Sequence, residues 1–430
     1  MKPSLSTLAR ITVFALVAVV SVSAATAAEQ SDDLRERIAA LESELERMKT
    51  MESEIAELKA LLQERIAKSE KSSDTVEKLE VEVAETRNEV AEVRVNQDEW
   101  KTYDSIVHLS GYGSVLYSDD DMNESFSRVL FAPIFHYQWR DLVLLESEFE
   151  VTIGEDGASD FALEYLTINL LVHDNIAVGA GKFLSPVGQF RQNLHPTWIN
   201  KLASAPVGFG HDQAAPVSEV GALARGGVEV SFWNGVFANY SVFVGNGPIL
   251  ELNEGGDEIE AIEAEGTTRD ADGNKVYGGR FGLVPFANTE VGFSLATGEA
   301  AVPGEPGRDY DVYGADFVTQ WRDFALRGEW VKSKIDGLDA RRTAAPEGQE
   351  WEAWYTQLSY RIRPTKLETV MRYGDFNSAH GDQAQEQWAF GANWWFNSHA
   401  VAKFTYELND GATGERVDDD RLLFELSYGF

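Results

Sequence analysis

The sequence predicts an all-β transmembrane barrel of about sixteen antiparallel strands, preceded by an α-helical coiled coil. Three observations lead there. From Tyr103 to Phe430 apolar and polar residues alternate with a period of two. Over the same span tight turns and long loops take strict turns with each other. Before it, residues 31–100 contain neither Gly nor Pro, and their apolar residues recur at helical spacing.

The N-terminal segment, 1–28, reads as a secretory signal peptide. Lys2 and Arg10 flank the start of an apolar run from Ile11 to Val20, and Ala25, Thr26, Ala27 and Ala28 offer a small-residue cleavage site after Ala27 or Ala28. No later stretch approaches the roughly 18 apolar residues a membrane helix needs. Insertion in a membrane must then use strands.

Residues 29–100 read as a stalk projecting into the periplasm. Ile38, Leu41, Leu45 and Met48 form one seam, continued after a phase slip by Ile55, Leu58, Leu62 and Ile66. The register breaks between Ser69 and Ser73. Asp74 and Glu77 then form a capping box that opens a second segment with Val76, Leu79, Val83, Val90 and Val93 on its seam. Stripes this narrow are buried by self-association. The spacing leaves dimer and trimer open, along with a helical hairpin folded at the Ser69 to Ser73 break.

The barrel is assigned to 101–430. Tight links fall at Arg140-Asp141, His173-Asp174, Asn234-Gly235, Ala287-Asn288, Arg322-Asp323, Pro364-Thr365 and Asn397-Ser398. Longer Gly- and acid-rich segments lie between them at 118–124, 153–159, 184–218, 247–274, 299–309, 334–349, 376–383 and 409–419. The faces are consistent from strand to strand. In the last one Leu422, Phe424, Leu426, Tyr428 and Phe430 oppose Arg421, Glu425, Ser427 and Gly429; further back, Phe404 and Tyr406 oppose Lys403, Thr405 and Glu407. A soluble sandwich would have to bury those charges in its core. Lipid outside and water inside suits both faces, and sixteen strands or so leave an aqueous channel.

Composition narrows the function further. A net charge of -34 excludes nucleic acid as a partner of the whole chain, and the absence of Cys excludes thiolate chemistry. The 11 Trp, 14 Tyr and 23 Phe are concentrated after residue 99, as membrane girdles require. No nucleophile is paired with a base in any motif, so no enzyme is expected, nor any cofactor or metal; His195 and His211 lack a carboxylate pattern beside them. The acidic outer loops, such as Glu251 to Asp272 and Asp418 to Asp420, read as solvated.

The segment from Leu184 to Ser218 is the candidate constriction. Its apolar residues would be wasted on an exposed loop, so an inward fold that leaves Arg191, His195, Lys201 and His211 facing solutes is expected, with an outward lid or a protomer contact as the alternative. Alternation places Arg128, Arg225, Arg280, Arg327, Arg361 and Arg372 in the lumen. Glu146, Glu148, Glu150, Glu229, Glu329, Glu368 and Glu407 join them there. An arginine ladder would favour anions mildly; cross-strand pairing would cancel it.

Gly181-Lys182-Phe183 with Pro186 and Gly188, followed by His195-Pro196-Thr197-Trp198-Ile199-Asn200, resembles the segment entering the constriction loop of the phosphate-selective porin O and P superfamily. Together with the stalk-plus-barrel layout, the chain is similar to the DcaP-like porins. That resemblance implies a trimer of 16-stranded pores in the bacterial outer membrane with this loop folded inside, and a terminal Phe read by the barrel-assembly machinery. The superfamily's phosphate-binding lysine cluster has no match, so phosphate specificity does not carry over. Lipid and lipopolysaccharide are the expected surroundings, with cell wall or partner proteins at the stalk. The alternative function is structural, an envelope tether whose barrel is only an anchor.

Overall fold

The computed structural model describes residues 105–120, 124–154, 157–230 and 235–430. The expected signal peptide and coiled-coil stalk fall on residues 1–100, which lie outside the described residues. Sixteen strands close into one antiparallel barrel. In chain order they begin with β1 (Ser105–Asp119), β2 (Glu124–Trp139), β3 (Val143–Ile153), β4 (Ser159–His173), β5 (Ile176–Leu184), β6 (Ser218–Glu229) and β7 (Phe237–Gly245). A short hairpin, β8 (Ile249–Leu252) with β9 (Ile259–Glu263), stands apart from the wall. The wall resumes with β10 (Val276–Phe286), β11 (Thr289–Ala300), β12 (Arg308–Trp321), β13 (Phe324–Ile335) and β14 (Gln349–Ile362), and ends with β15 (Leu367–Asn377), β16 (Gln385–Trp395), β17 (Ala400–Gly411) and β18 (Arg421–Gly429).

Each wall strand pairs with its neighbour along the chain, except that β7 pairs with β10 across the excursion that holds the hairpin, and β1 closes on β18. The turn chemistry explains the short links. Asn288 and Arg322 take positive φ in two-residue links, as such hairpins demand, and Arg140 and Gly235 do so in slightly longer ones. Among the described residues the strands end and resume where the alternation placed the tight links and the long loops.

Register decides which residues meet lipid. Glu425 pairs with Lys403 across β17 and β18, and both are fully buried on the inner face, whereas Leu426 and Tyr428 are exposed on the outer one. The outer face is apolar around the barrel: Phe293 is 66% exposed, Phe161 67% and Val172 55%. Exposure on this scale is tolerable only against hydrocarbon. At the end of the wall that carries the long loops, Trp354, Tyr373 and Trp388 pack at a tilt on neighbouring strands, with ring centroids 5.2 and 4.8 Å apart, in the manner of an interfacial girdle.

The inner face is packed along much of its circumference. Phe190, Phe209 and Val187 from the 184–218 loop, Leu250, Ile259 and Ile262 from the β8–β9 hairpin, and Tyr310, Ile335, Trp351 and Phe376 from the wall form a single buried cluster. The segment 247–274, expected as a solvated outer loop, thus sends an apolar hairpin into the mouth of the barrel. His380 fixes it there through Nε2, 2.7 Å from the carbonyl oxygen of Ile259.

Candidate functional site: the inward loop and the passage beside it

The segment between β5 and β6 folds into the lumen, and its backbone hydrogen bonds go to side chains of the wall. This answers how an irregular segment can satisfy its polar groups inside a barrel. The neck is closed by Ser185 N–H donating to the Val217 carbonyl at 2.9 Å. Gly188 N–H then donates to Ser294 Oγ on β11 at 3.0 Å. Gln189 and Phe190 donate their amides to Glu329 Oε2 on β13, at 3.2 and 3.0 Å. Phe190–Leu194 makes one wide helical turn, and the chain crosses to the far wall.

There the ammonium of Lys403 on β17 bridges Glu425 Oε1, 2.8 Å away, to the carbonyl of Thr197. Thr197 Oγ1 lies 2.9 Å from Ser427 Oγ on β18, and Asn393 Nδ2 on β16 donates to the Lys201 carbonyl at 2.8 Å. Trp198 lies flat on Gly429, where a side chain would collide with the indole. Arg372 on β15 donates to the carbonyls of Ser204 and Ala205 at 3.1 and 2.9 Å, and Ser204 Oγ donates to Glu407. On the return path Phe209 packs edge-on against Tyr355, and Ser333 Oγ donates to the Ala214 carbonyl at 2.7 Å. These moorings lie on β11 and β13 to β18. Toward β2–β6 the loop is held more sparsely, by Trp198 beside Leu130 and Ala132 and by His195 near Glu148, and a space remains beside it.

A cavity of about 260 Å³ occupies that space. It is lined by Glu146, Glu148, Tyr165, Asn169, Leu223 and Arg225 of the wall and by Gln192, Asn193, His195 and Pro196 of the loop, among others. A second cavity, of about 400 Å³, shares Gln192 and Arg225 with it and reaches the tight turn at His173 and Asp174. The two together trace a route past the loop toward the short-turn end, with Gln192, Arg225, Asn239 and Ser241 in its lining.

Of the four residues expected at the constriction, His195 lines the first cavity, with Nε2 3.6 Å from Glu148 Oε1. Arg191 is 8% exposed and sits beside the Phe190 ring; burial pushes its guanidinium below the usual range, while Glu164, Glu265, Glu329 and Glu150 act against that shift. Lys201 is tied to Glu368 and Ser359, and its ammonium is likewise lowered by burial. His211 is bonded to Glu265 of the 247–274 segment, which raises its imidazole above the ordinary value.

The lumen arginines are largely neutralised. Arg128 meets Glu425 at 2.8 Å, Arg225 meets Glu146 at 2.5 Å, and Arg280 meets Asp316 and Glu290 at 2.5 and 2.8 Å. Arg372 lies 4.0 Å from Glu407 in addition to its loop contacts, and Arg361 stands over the Trp395 ring. Pairing therefore runs between strands, and it draws on Asp316, Glu290 and Glu425. The adjacent Glu329 is spent on loop amides, and Arg327 has no such part in the mooring. Asn169, Gln192 and Tyr112 also belong to the site, and no motif in the sequence marks them. Asn169 was legible as an inward position of β4 two residues from Thr167. Tyr112, whose hydroxyl donates to Glu148 at 2.7 Å, could be found only once β1 and β3 were placed.

A closed sixteen-stranded antiparallel barrel with an apolar exterior, a charged interior and an inward loop defines the architectural class of outer-membrane porins. Solved structures agree at the level of the fold. The barrel is similar to an anion-selective porin from Comamonas acidovorans, with a TM-score of 0.52 at 14% identity, over 76% of this chain and 100% of that one. It is also similar to Salmonella typhi OmpF in complex with daunomycin, with a TM-score of 0.51 at 10% identity, over 75% of this chain and 97% of that one. The outer membrane channel DcaP of Acinetobacter baumannii matches with a TM-score of 0.47 at 10% identity, over 76% of this chain and 97% of that one. No family model matches the chain, and no curated protein matches it in sequence.

Proposed function

We propose that the chain is a porin of the bacterial outer membrane, a channel and not an enzyme, passing small hydrophilic solutes by diffusion through a pore narrowed by the 184–218 loop. The observation that carries the reading is the one-sided mooring of that loop. Its polar contacts are concentrated on β11 and β13 to β18, and cavities carrying charged and polar side chains remain along β2–β7. A barrel serving only as an anchor has no use for a loop that fills one side of its lumen and spares the other. The Comamonas structure is described as an anion-selective porin, which supports the class.

A homotrimer is the assembly proposed, with the N-terminal stalk in the periplasm and the acidic loops at the lipopolysaccharide. Any anion preference is mild, because four lumen arginines already have carboxylate partners. The test is conductance in a planar bilayer. Purified protein inserts in three equal current steps, and shortening the loop between 189 and 212 raises the unit conductance. Folded protein that inserts without conductance overturns the reading.

A further inference from the structure

We propose that the cavity between β3, β4, β6 and the loop is a binding station for a small zwitterion, with an ammonium and a carboxylate a few atoms apart on an apolar stem, as in an amino acid. The proposal deepens the porin reading and rests on it for the station's place on a transport route.

The charges set the poles. Glu146 and Glu148 lie on β3, and Arg225 enters from β6. Arg225 gives Nη2 to Glu146 at 2.5 Å, and its side chain remains 44% exposed, so the guanidinium keeps donors for a further acceptor. Glu148 is held by the Tyr112 hydroxyl and is almost wholly shielded from bulk water.

Two buried polar atoms at the cavity make no hydrogen bond. Asn169 spends its amide nitrogen on Glu146 Oε2 at 2.9 Å, Thr167 Oγ1 at 3.1 Å and the Leu144 carbonyl at 3.3 Å, and its Oδ1 accepts nothing. His195 donates Nδ1–H to the Arg191 carbonyl at 2.5 Å, and its Nε2, without a hydrogen bond, stands 3.6 Å from Glu148 Oε1. Buried polar atoms are rarely left so in a folded protein, and their pairing is what a ligand supplies. An ammonium satisfies Asn169 Oδ1 and the carboxylates; a carboxylate satisfies the donors that Arg225 leaves free.

Single charges fit less well. A monoanion of the same size faces two carboxylates against one guanidinium, and a monocation leaves the remaining donors of Arg225 unused. Phe183, Leu223 and Pro196 supply an apolar wall for the stem. At about 260 Å³ the space is smaller than the roughly 300–1,000 Å³ of sites for drug-sized ligands, which keeps the solute small.

Three probes on one phenylalkyl stem decide the matter at pH 7: phenylalanine as the zwitterion, phenethylamine as the cation and 3-phenylpropionate as the anion. Block of the single-channel current is read in bilayers, and binding to the detergent-solubilised protein is read by saturation-transfer NMR. Phenylalanine blocks and binds about tenfold more tightly than either analogue, and Arg225→Gln and Glu148→Gln each abolish that margin. Glu148→Gln keeps an acceptor for Tyr112, and Arg225 is half-exposed, so both variants retain the fold. Equal action of the three probes, preference for either single charge, absence of phenylalanine binding, or an undiminished margin in the two variants overturns the station. Protein that binds but does not conduct overturns the porin reading alone; protein that conducts with no zwitterion margin overturns the station alone.

Discussion

The ammonium of Lys201 lies 2.5 Å from Oε1 of Glu368. The first residue belongs to the loop and the second to the wall, and both side chains are largely buried, at 18% and 7% exposure. Glu368 Oε2 also accepts Trp395 Nε1 at 3.1 Å, so the carboxylate has been taken out of water on the strength of its partners. Removing the cation by Lys201→Met strands that charge and costs about 3–5 kcal/mol. The double variant Lys201→Met with Glu368→Gln recovers most of the loss. Denaturation midpoints of folded protein in detergent give the cycle, and additive single effects would show that the two groups do not act as a pair.

The entry to the loop depends on Gly188. It sits at φ +71, and an added Cβ would lie 1.7 Å from Glu329 Oε1, the carboxylate that holds the next two amides. Gly188→Ala meets both obstacles. The left-handed backbone alone costs on the order of 1–3 kcal/mol in a residue other than Gly, and the clash displaces the anchor. Glu329→Gln keeps an acceptor oxygen and disturbs the loop less. Conductance rises and protease cleavage between 189 and 212 appears in Gly188→Ala, with a weaker form of both in Glu329→Gln; unchanged conductance in Gly188→Ala would remove Glu329 from the mooring.

How far such features can be read from the chain alone depends on the range of the physics behind them. Alternation is local, so Lys403, Thr405 and Glu407 could be assigned to the lumen from their neighbours, and the turn residues Arg140, Asn288 and Arg322 marked the links between strands. The path of the inward loop is set by partners more than a hundred residues away, such as Ser294 for Gly188 and Glu329 for Phe190. Its apolar content announced that it would be buried and left open which of its charges would be. Lys201 and Arg191 look like solute contacts in the sequence. In the fold one is a mooring and the other lies under the loop's own packing. The hairpin of Leu250, Ile259 and Ile262 was hidden by the Glu and Gly residues around it, which outweigh its short apolar runs in any window.

The bond between His211 and Glu265 ties the inward loop to the 247–274 segment and makes that tie pH-dependent. Their amide neighbours reinforce it, since Val217 and Ser218 N–H both reach the Ala264 carbonyl, at 2.9 and 3.1 Å. The hydrogen bond raises His211 above its ordinary 6.5, so its contribution is complete below 6.5 and is lost as pH rises through the folded value. The same bond lowers Glu265 below its ordinary 4.5, so its contribution is complete above 4.5 and is lost as pH falls through the folded value. The tie is therefore firmest between 4.5 and 6.5. Open-channel noise is expected to be lowest in that window and to increase on either side, with His211→Gln noisy and flat across it. A wild-type channel whose noise ignores pH would exclude the tie as a control on loop motion.

The barrel seam gives the last prediction. Gly111 and Phe430 exchange two backbone hydrogen bonds, of 3.0 and 2.9 Å, and the Phe430 ring stacks on Phe131 with centroids 6.1 Å apart. A Cβ on Gly111 would come 2.9 Å from Phe430 Cζ and 2.5 Å from the Ala132 carbonyl, so the ring and the adjoining strand occupy the space that Gly leaves. Deleting Phe430 removes both hydrogen bonds, each contributing about 0.5–1.5 kcal/mol, together with the ring contact. Phe430→Leu removes only the ring. If the terminal residue matters physically at the seam, the deletion lowers the unfolding midpoint of protein refolded in detergent, where no assembly machinery is present, and Phe430→Leu lowers it less. If it matters only as an assembly signal, both variants refold with wild-type midpoints in detergent, and the loss appears solely as reduced membrane insertion in cells. The paired hydrogen bonds predict the first outcome, with the deletion the more damaging of the two.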